Sequence, residues 1–310
     1  MSEARHPLLP YAALAGLALI WGASFLFIKV AVQDMSPTVL LLLRSASGAL
    51  VLALVVRAMG RPLLGEGWRR RLGSFAIMAL TNAVVPWILI AWGEERISSG
   101  LASILNSTTT LWTAVLIYWA IPTERPSMVN YVGVVVGFAG VVILVLPDIS
   151  SHGVSGNFFG AMAVVLAALS YAVNAIYQRR KMRKVSVFEV SLGQLMATVL
   201  FAIPLAAPSL PHVHIALSSM AAVLALGAGG TGVAYLLYFY VINTLGAVRA
   251  AGVTLLVPVT AVFWGVVLLH ETLSLPVLAG MVVILVGIVL TNLRRSVRSA
   301  PVAERESAVA

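Results

Sequence analysis

Charged residues are scarce in this chain. Asp, Glu, Lys and Arg make up 10% of its 310 residues, hydrophobic residues make up 60%, and the mean hydropathy is +1.00. Soluble globular domains carry about 25% charged residues, so this composition excludes a soluble globular protein. Alternation of apolar and polar residues over stretches of about ten residues, the mark of a transmembrane β-barrel, is also missing. The chain is therefore expected to cross the membrane as helices, which satisfy their own backbone hydrogen bonds in lipid.

Cysteine is absent, which excludes disulfides, thiolate metal sites and cysteine nucleophiles. The five histidines fall outside the apolar segments or at their ends, although His212 and His214 share a loop in which a weak peripheral metal site stays open. The middle of the apolar segments carries no carboxylate pair, no Ser-His pair and no phosphate-binding glycine loop. We therefore expect no catalytic residues, no metal centre and no cofactor.

Ten apolar segments are long enough to cross the hydrocarbon core of a bilayer, which takes about 20 helical residues. They run over residues 11–33, 37–58, 73–93, 98–119, 128–146, 157–177, 188–207, 219–241, 246–268 and 274–292. The first follows only one basic residue, Arg5, and lacks a small-residue cleavage site, so we expect it to be retained and not removed as a signal peptide. The predicted fold class is an all-α integral membrane protein with ten transmembrane helices.

The net charge of +9 is distributed unevenly along the chain. Of the 20 Lys and Arg residues, all but Lys29, Arg44 and Arg96 lie before the first span, at or beyond the end of an even-numbered span, or, for Arg249, at the start of the ninth span. The positive-inside rule then predicts that the N-terminal segment 1–10 and the basic tail 293–310 are both cytoplasmic, in a multi-pass protein of the cell inner membrane. We interpret the basic runs as topology signals and lipid-headgroup contacts, with no nucleic-acid partner.

The sequence also repeats itself at shifts of 147 to 150 positions. The matched pairs are Trp21 with Tyr171, Arg44 with Gln194, Trp87 with Tyr235, Thr110 with Pro258 and Glu124 with Glu271. Each half, 11–146 and 157–292, contains five predicted spans. Because five is odd, the second half must enter the membrane from the opposite side, which predicts two inverted five-helix repeats of the kind that hold a midplane site in many secondary transporters.

Several of these residues carry a family resemblance. They are the Trp21-Gly22 pair, Arg44, the segment 258–271 (PVTAVFWGVVLLHE) followed by Gly280 and Gly287, and its first-half echo 110–124 followed by Gly133 and Gly140. With them, residues 11–292 resemble the drug/metabolite transporter superfamily and, within it, the EamA-type permeases. The resemblance implies a carrier, commonly an inner-membrane exporter of amino acids or related metabolites, with a central cavity shared by both halves. The chain departs from the common pattern at Tyr171, where Trp is frequent, and at Thr110, which stands where the second half has Pro258.

Residues 106–110 read NSTTT in the middle of the fourth span. Asn106 and Thr110 are spaced i,i+4 and share one helical face near the midplane, so we predict that they line a polar cavity. Ser107, Thr108 and Thr109 are equally well explained by hydrogen bonds to their own helix or to a neighbouring helix. In the second half Pro258 cannot donate to the carbonyl of residue 254, which predicts a free acceptor at the matching depth.

Two further spans are predicted to be softened. Pro86 cannot bond the carbonyl of Asn82 in the third span, and the eighth span has four glycines between Gly227 and Gly232. Aromatic residues supply the predicted walls of the cavity, with helix packing as the alternative. They are Trp21, Trp87 and Trp112 from the first half and Tyr171, Tyr235 and Tyr238 from the second.

Arg44 is the charge placed most deeply in a predicted span. Arg at such depth usually faces the protein interior or water. It is predicted either to attract a substrate carboxylate or to form a structural bridge with Glu94 or Glu95.

These features favour a secondary transporter that moves small polar or amphipathic metabolites, amino acids or their derivatives, out of the cell by alternating access. Its partners would be the small-molecule substrate and membrane lipids. The alternative is an integral membrane enzyme acting on a lipid or a lipid-linked group, for which the acid or base would be Glu124, Glu189, His270 or Glu271; a channel is a third option. Because the midplane has no acidic residue, we expect gradient-driven exchange, or proton coupling through a peripheral residue such as Glu189.

Overall fold

The computed structural model describes residues 8–120, 127–152, 154–245 and 252–293, and these residues form helices and connecting turns without a β-strand. The α-helices are α1 (Leu9–Ala31), α2 (Pro37–Ala58), α3 (Leu72–Ala79), α4 (Val85–Glu94), α5 (Ser99–Asn106), α6 (Thr109–Ala120), α7 (Met128–His152), α8 (Gly156–Lys181), α9 (Val187–Ala206), α10 (Leu217–Leu224), α11 (Ala234–Leu245), α12 (Val253–Leu269) and α13 (Leu275–Asn292).

Ten spans result from these helices, as the sequence predicts. Within the described ranges nine of them are long and apolar enough to cross a membrane, and the remaining one, α12, which is the ninth span in chain order, has 17 residues. The predicted ninth span begins at 246, and residues 246–251 lie outside the described part of the chain. The all-α, ten-span fold class is confirmed, and five spans in each half place the two repeats in opposite orientations.

The third and eighth spans contain π-helical segments, Leu80–Val84 and Ala225–Val233. The prediction of two softened helices is therefore confirmed, although each span is a helix of three parts and not one regular α-helix. Pro86 follows the first segment and removes one N–H from the regular ladder, so the bonding widens to i→i+5. The second segment contains four glycines, Gly227, Gly229, Gly230 and Gly232.

The fourth span is broken, which corrects the prediction of one helix over 98–119. Helix α5 ends at Asn106 and α6 begins at Thr109. The hydroxyls of Ser107, Thr108 and Thr109 donate to the carbonyls of the residues three positions earlier, at 2.6, 2.6 and 2.8 Å. Such local bonds compete with the backbone ladder. In the second half, Pro258 lies inside the continuous helix α12, so the two equivalent places are not equally disrupted.

Helices α7 and α13, the fifth and tenth spans, pack closely through glycine. A Cβ added to Gly287 would lie 2.4 Å from the backbone nitrogen of Gly137, and one added to Gly133 would lie 2.5 Å from the nitrogen of Thr291. The side chain of Asn130 also donates to the carbonyl of Thr291 at 2.7 Å. Small residues at such a contact allow two backbones to approach in the membrane.

Polar contacts join the spans at the two ends of the bundle. We call the end with loops 32–36, 95–98, 207–216 and 270–274 the Asp34 face, and the end with loops 59–67 and 182–186 the Arg71 face. At the first, Asp34 accepts a hydrogen bond of 2.5 Å from the hydroxyl of Ser219. At the second, Arg71 and Glu189 form an ion pair of 2.6 Å. Each contact crosses from one repeat to the other.

Candidate functional site

Arg44 lies on α2 with 9% of its surface exposed. Its guanidinium carbon is 3.7 Å from the ring centroid of Trp87 on α4, a cation–π contact. Within the described ranges no carboxylate lies at ion-pair distance from Arg44, and its Nε has no hydrogen-bond partner. A buried cation that is held by an aromatic face and lacks an acidic partner can accept an anion from outside the protein.

The second repeat contributes two tyrosines to the same place. Tyr171 on α8 and Tyr235 on α11 are both close enough to Arg44 to interact with its charge. Tyr171 also faces the indole of Trp87, and Tyr235 faces the hydroxyl of Ser191 on α9. Arg44, Trp87, Tyr171 and Tyr235 therefore form one group, the central cluster, with two members from each repeat.

Arg44 does not form the structural bridge to Glu94 or Glu95 that was the alternative to substrate binding. Glu95 pairs with its neighbour Arg96 at 2.8 Å. Glu94 is fully buried, and neither of its carboxylate oxygens has a hydrogen-bond partner among the described residues. Arg44 therefore contacts aromatic rings and no carboxylate among the described residues.

Two amide side chains link the third span to α9. The amide of Asn82, in the π-helical segment of the third span, donates to the side-chain oxygen of Gln194 on α9 at 3.1 Å. The amide nitrogen of Gln194 is buried and has no partner in the described part of the chain. Sequence reasoning selected Asn82 and missed Gln194, although the internal repeat pairs Gln194 with Arg44 and could have indicated it.

Trp21 and Tyr238 form a second aromatic pair. Their ring centroids are 5.5 Å apart at an interplanar angle of 46°, and both residues pack against the buried cluster of Leu17, Ala18, Ala234 and Val253. Tyr238 lies one helical turn after Tyr235 on α11 and is close enough to interact with it electrostatically. The pair is therefore adjacent to the central cluster.

The remaining predicted residues lie on a neighbouring pair of spans. Asn106 and Thr110 are half-buried on either side of the break in the fourth span, and the side-chain oxygen of Asn106 has no hydrogen-bond partner among the described residues. Pro258 is buried in α12, which packs against α5. The structure thus unites Arg44, Trp87, Tyr171 and Tyr235, and places Asn106 on α5, Thr110 on α6 and Pro258 on α12.

A separate cleft of about 200 Å³ opens at the Asp34 face. Its wall is mostly apolar and comes from the fourth, fifth and sixth spans, with Arg96, Asp148 and Asn157 among the polar lining residues. Asn157 donates to Asp148 at 3.2 Å. The cleft does not include any residue of the central cluster.

Comparison with known proteins gives a consistent result. The EamA-like transporter family matches the chain twice, over residues 8–146 and 158–293. YoaV of Bacillus subtilis, named an uncharacterized transporter, is 24% identical over 277 residues, which cover 89% of this chain and 94% of its own length. YedA of Escherichia coli K12, named an uncharacterized inner membrane transporter, is 28% identical over 292 residues, 92% of each protein.

Two further similarities extend this comparison. A WAT1-related chloroplastic protein of Arabidopsis thaliana is 27% identical over 307 residues, 94% of this chain and 71% of its own length. One crystal structure superposes with a TM-score of 0.64 at 20% identity, covering 92% of this chain and 96% of the other. That structural likeness indicates a shared fold.

Proposed function

Because the chain belongs to the EamA-like transporter family, we propose that it is a secondary transporter for small amphipathic metabolites that bear a carboxylate, amino acids or their derivatives. Export from the cell and alternating access are part of the same proposal. The central cluster is its substrate site, and Asn106, Thr110 and the Trp21–Tyr238 pair extend the walls of that site.

The environment of Arg44 is the observation that supports a carboxylate-bearing substrate. Its guanidinium is stacked on Trp87 and has no carboxylate partner in the described part of the chain. A planar guanidinium binds a carboxylate through two parallel hydrogen bonds, which gives both energy and orientation. Tyr171 and Tyr235 add apolar faces and hydroxyls beside the same cation, a combination that suits an amphipathic anion.

Alternating access is supported by the origin of the central cluster. Two of its residues come from each repeat, so any movement of one repeat against the other changes the site. The third and eighth spans contain π-helical segments at equivalent positions, and irregular helices at membrane depth are tolerated mainly where they line a cavity or pack on protein.

The distribution of basic residues supports an orientation of the protein in the membrane. The basic residues of loops 59–67 and 182–186 lie at the Arg71 face, so the positive-inside rule makes this face cytoplasmic and the Asp34 face external. The name of YedA places that relative in an inner membrane, and we propose the same location here. Export then carries substrate from the Arg71 face to the Asp34 face.

Proteoliposomes containing the purified protein test the proposal. They are preloaded with unlabelled amino acids, and the exchange of radiolabelled amino acids is compared with that of the corresponding amino-acid amides, which keep the side chain but lose the carboxylate. We expect exchange of the acids and weak exchange of the amides. Equal exchange of acids and amides would refute carboxylate recognition, and chemical modification of the transported compound would favour an enzyme.

A further inference from the structure

Glu94, the last residue of α4, is an unusual carboxylate. It has no solvent exposure, and neither of its side-chain oxygens has a hydrogen-bond partner within residues 8–120, 127–152, 154–245 and 252–293. An ionised carboxylate loses its hydration on burial and must be compensated by a cation or by donors. Glu94 has neither at bonding distance, so its burial is compatible with a bound proton.

The charged groups near Glu94 have other bonding partners. Lys29 on α1 approaches from the Asp34 face, but its ammonium donates to the backbone carbonyls of Glu94 and Ile97 and not to the carboxylate. Glu271 accepts from the backbone N–H groups of Ser99 and Gly100 at 2.7 and 3.1 Å. Arg44 on α2 is stacked on Trp87. All three charges nevertheless act on Glu94 electrostatically.

Helices α8 and α5 also pack beside Glu94, and in the described part of the chain they contribute no charged side chain there. Helix α8 meets α4 at Gly93 through Gly160 and the side chain of Val164. Helix α5 contributes Ser99 and Ser103, whose buried hydroxyls have no hydrogen-bond partner in the described part of the chain. Burial, the largest influence, favours the neutral form of Glu94, as does the charge of Glu271, whereas Lys29 and Arg44 favour the ionised form. A fully buried carboxyl group that has cations nearby but no donor on either oxygen in the described part of the chain can exist with or without a proton, as a proton-binding site requires.

We propose that Glu94 is the proton-binding site of the transport cycle. Its carboxylate takes up a proton when the protein is open to the Asp34 face and releases the same proton toward the Arg71 face, so that inward proton movement drives substrate in the other direction. Glu189, the peripheral candidate that the sequence suggests, is held by Arg71 in an ion pair at the opposite face. The coupling to substrate rests on the proposed function, whereas proton binding by Glu94 does not.

A carbodiimide labelling experiment tests proton binding without a substrate. Dicyclohexylcarbodiimide reacts with protonated carboxyl groups in apolar surroundings, and the adduct is located by mass spectrometry of the full-length protein purified in liposomes. We expect an adduct on Glu94 that decreases as the pH rises. Glu94→Gln should lose this adduct, and Glu95→Gln, a matched change at the adjacent partly exposed ion pair, should keep it.

Two labelling outcomes would overturn the proposal. One is the absence of an adduct on Glu94 at every pH at which the protein elutes as a folded species. The other is an adduct that does not change with pH, because a permanently neutral carboxyl group carries no proton through a cycle.

The transport arm compares substrate accumulation with and without an imposed pH gradient. In the unaltered protein and in Glu95→Gln the gradient should increase accumulation, whereas in Glu94→Gln the two conditions should give equal rates. A gradient response that survives in Glu94→Gln overturns the coupling role. If the unaltered protein moves none of the amino acids tested, the substrate proposal fails by itself, and labelling still decides whether Glu94 binds a proton.

Discussion

The carboxylate of Glu271 accepts a hydrogen bond of 2.7 Å from the backbone N–H of Ser99, the first residue of α5. The two residues belong to different repeats and are 172 positions apart in sequence. His270, with a left-handed φ of 53°, ends α12, and the N–H of Glu271 returns to the carbonyl of Gly265 at 3.0 Å. This turn directs the carboxylate toward the free N–H groups at the start of α5, where a negative charge is favourable.

Replacement of Glu271 by Ala should therefore destabilise the protein by about 1–3 kcal/mol, the usual cost of leaving buried hydrogen-bond donors without a partner, because the N–H groups of Ser99 and Gly100 lose their acceptor. Glu271→Gln keeps an acceptor oxygen and should lose less. Thermal unfolding in detergent, followed by size-exclusion chromatography, measures the difference, with Glu95→Ala as the control at a partly exposed carboxylate. Equal stability of the Ala variant and the unaltered protein would show that the cap contributes nothing.

Arg44→Met should reduce exchange of carboxylate substrates by roughly 10- to 100-fold, because a charge-assisted hydrogen bond contributes about 1.5–3 kcal/mol. Exchange of neutral amides should fall less. Arg44→Lys should recover only part of the loss, since an ammonium keeps the charge but not the planar fork. Transport assays in proteoliposomes measure all three variants.

The chain supplies a matched control for Arg44. Arg96 lies over the ring of Trp92 at the same distance of 3.7 Å, but it is partly exposed and paired with Glu95. Arg96→Met removes the same kind of cation–π contact away from the central cluster, so transport should persist. Equal loss in Arg44→Met and Arg96→Met, with poor expression of both, would assign Arg44 a structural role only.

Gly287→Ala should weaken the contact between α7 and α13 by about 1–3 kcal/mol, the usual cost of overpacking. Its new methyl group would meet backbone atoms of Gly137, which cannot rotate away. Gly16→Ala is the control, since a Cβ at this position of α1 meets no atom within 4 Å, and it should leave stability unchanged or raise it slightly. Thermal unfolding in detergent compares the two, and similar effects would contradict the close packing.

A reporter fused after residue 305 should show a cytoplasmic C-terminus, because the positive-inside rule assigns the Arg71 face to the cytoplasm. A pair of reporters, one active only in the cytoplasm and one active only outside it, gives opposite signals for the two orientations. Activity of the external reporter would reverse the assignment of both faces and, with it, the direction of the proposed proton movement.

Much of the fold could be predicted because span positions depend on local sequence. The second predicted span, 37–58, coincides with α2, since Ser36 caps the helix and Pro37 occupies its first turn. The break after Asn106 could not be predicted in this way. The polar run contains no Pro or Gly, and the interruption comes with hydroxyls that turn back to their own carbonyls instead of bonding outward.

The site was harder to predict because its features depend on contacts across the bundle. Glu94 stands at a span end, where a carboxylate is usually hydrated, and its burial depends on the packing of α8 and α5 around it. Gln194 meets Asn82 over 112 positions of sequence. The repeat paired Trp21 with Tyr171 and Trp87 with Tyr235. The structure brings Trp87, Tyr171 and Tyr235 together around Arg44, whereas Trp21 pairs with Tyr238.

The last prediction concerns the polar run 106–110. It can be tested by introducing single cysteines, because the chain has no native cysteine. Single Cys at positions 106 and 110 should react with a small water-soluble thiol reagent, and saturating substrate should slow the reaction, because both residues border the proposed site. Cys at 108 should stay unreactive, since Thr108 is fully buried and bonded to its own helix. Asn106→Leu should leave folding nearly intact, because it removes at most a modest interhelical bond, yet it should abolish or alter transport by making one wall apolar. If positions 106, 108 and 110 are all inert, the run serves helix packing alone, and the substrate site is confined to the cluster around Arg44.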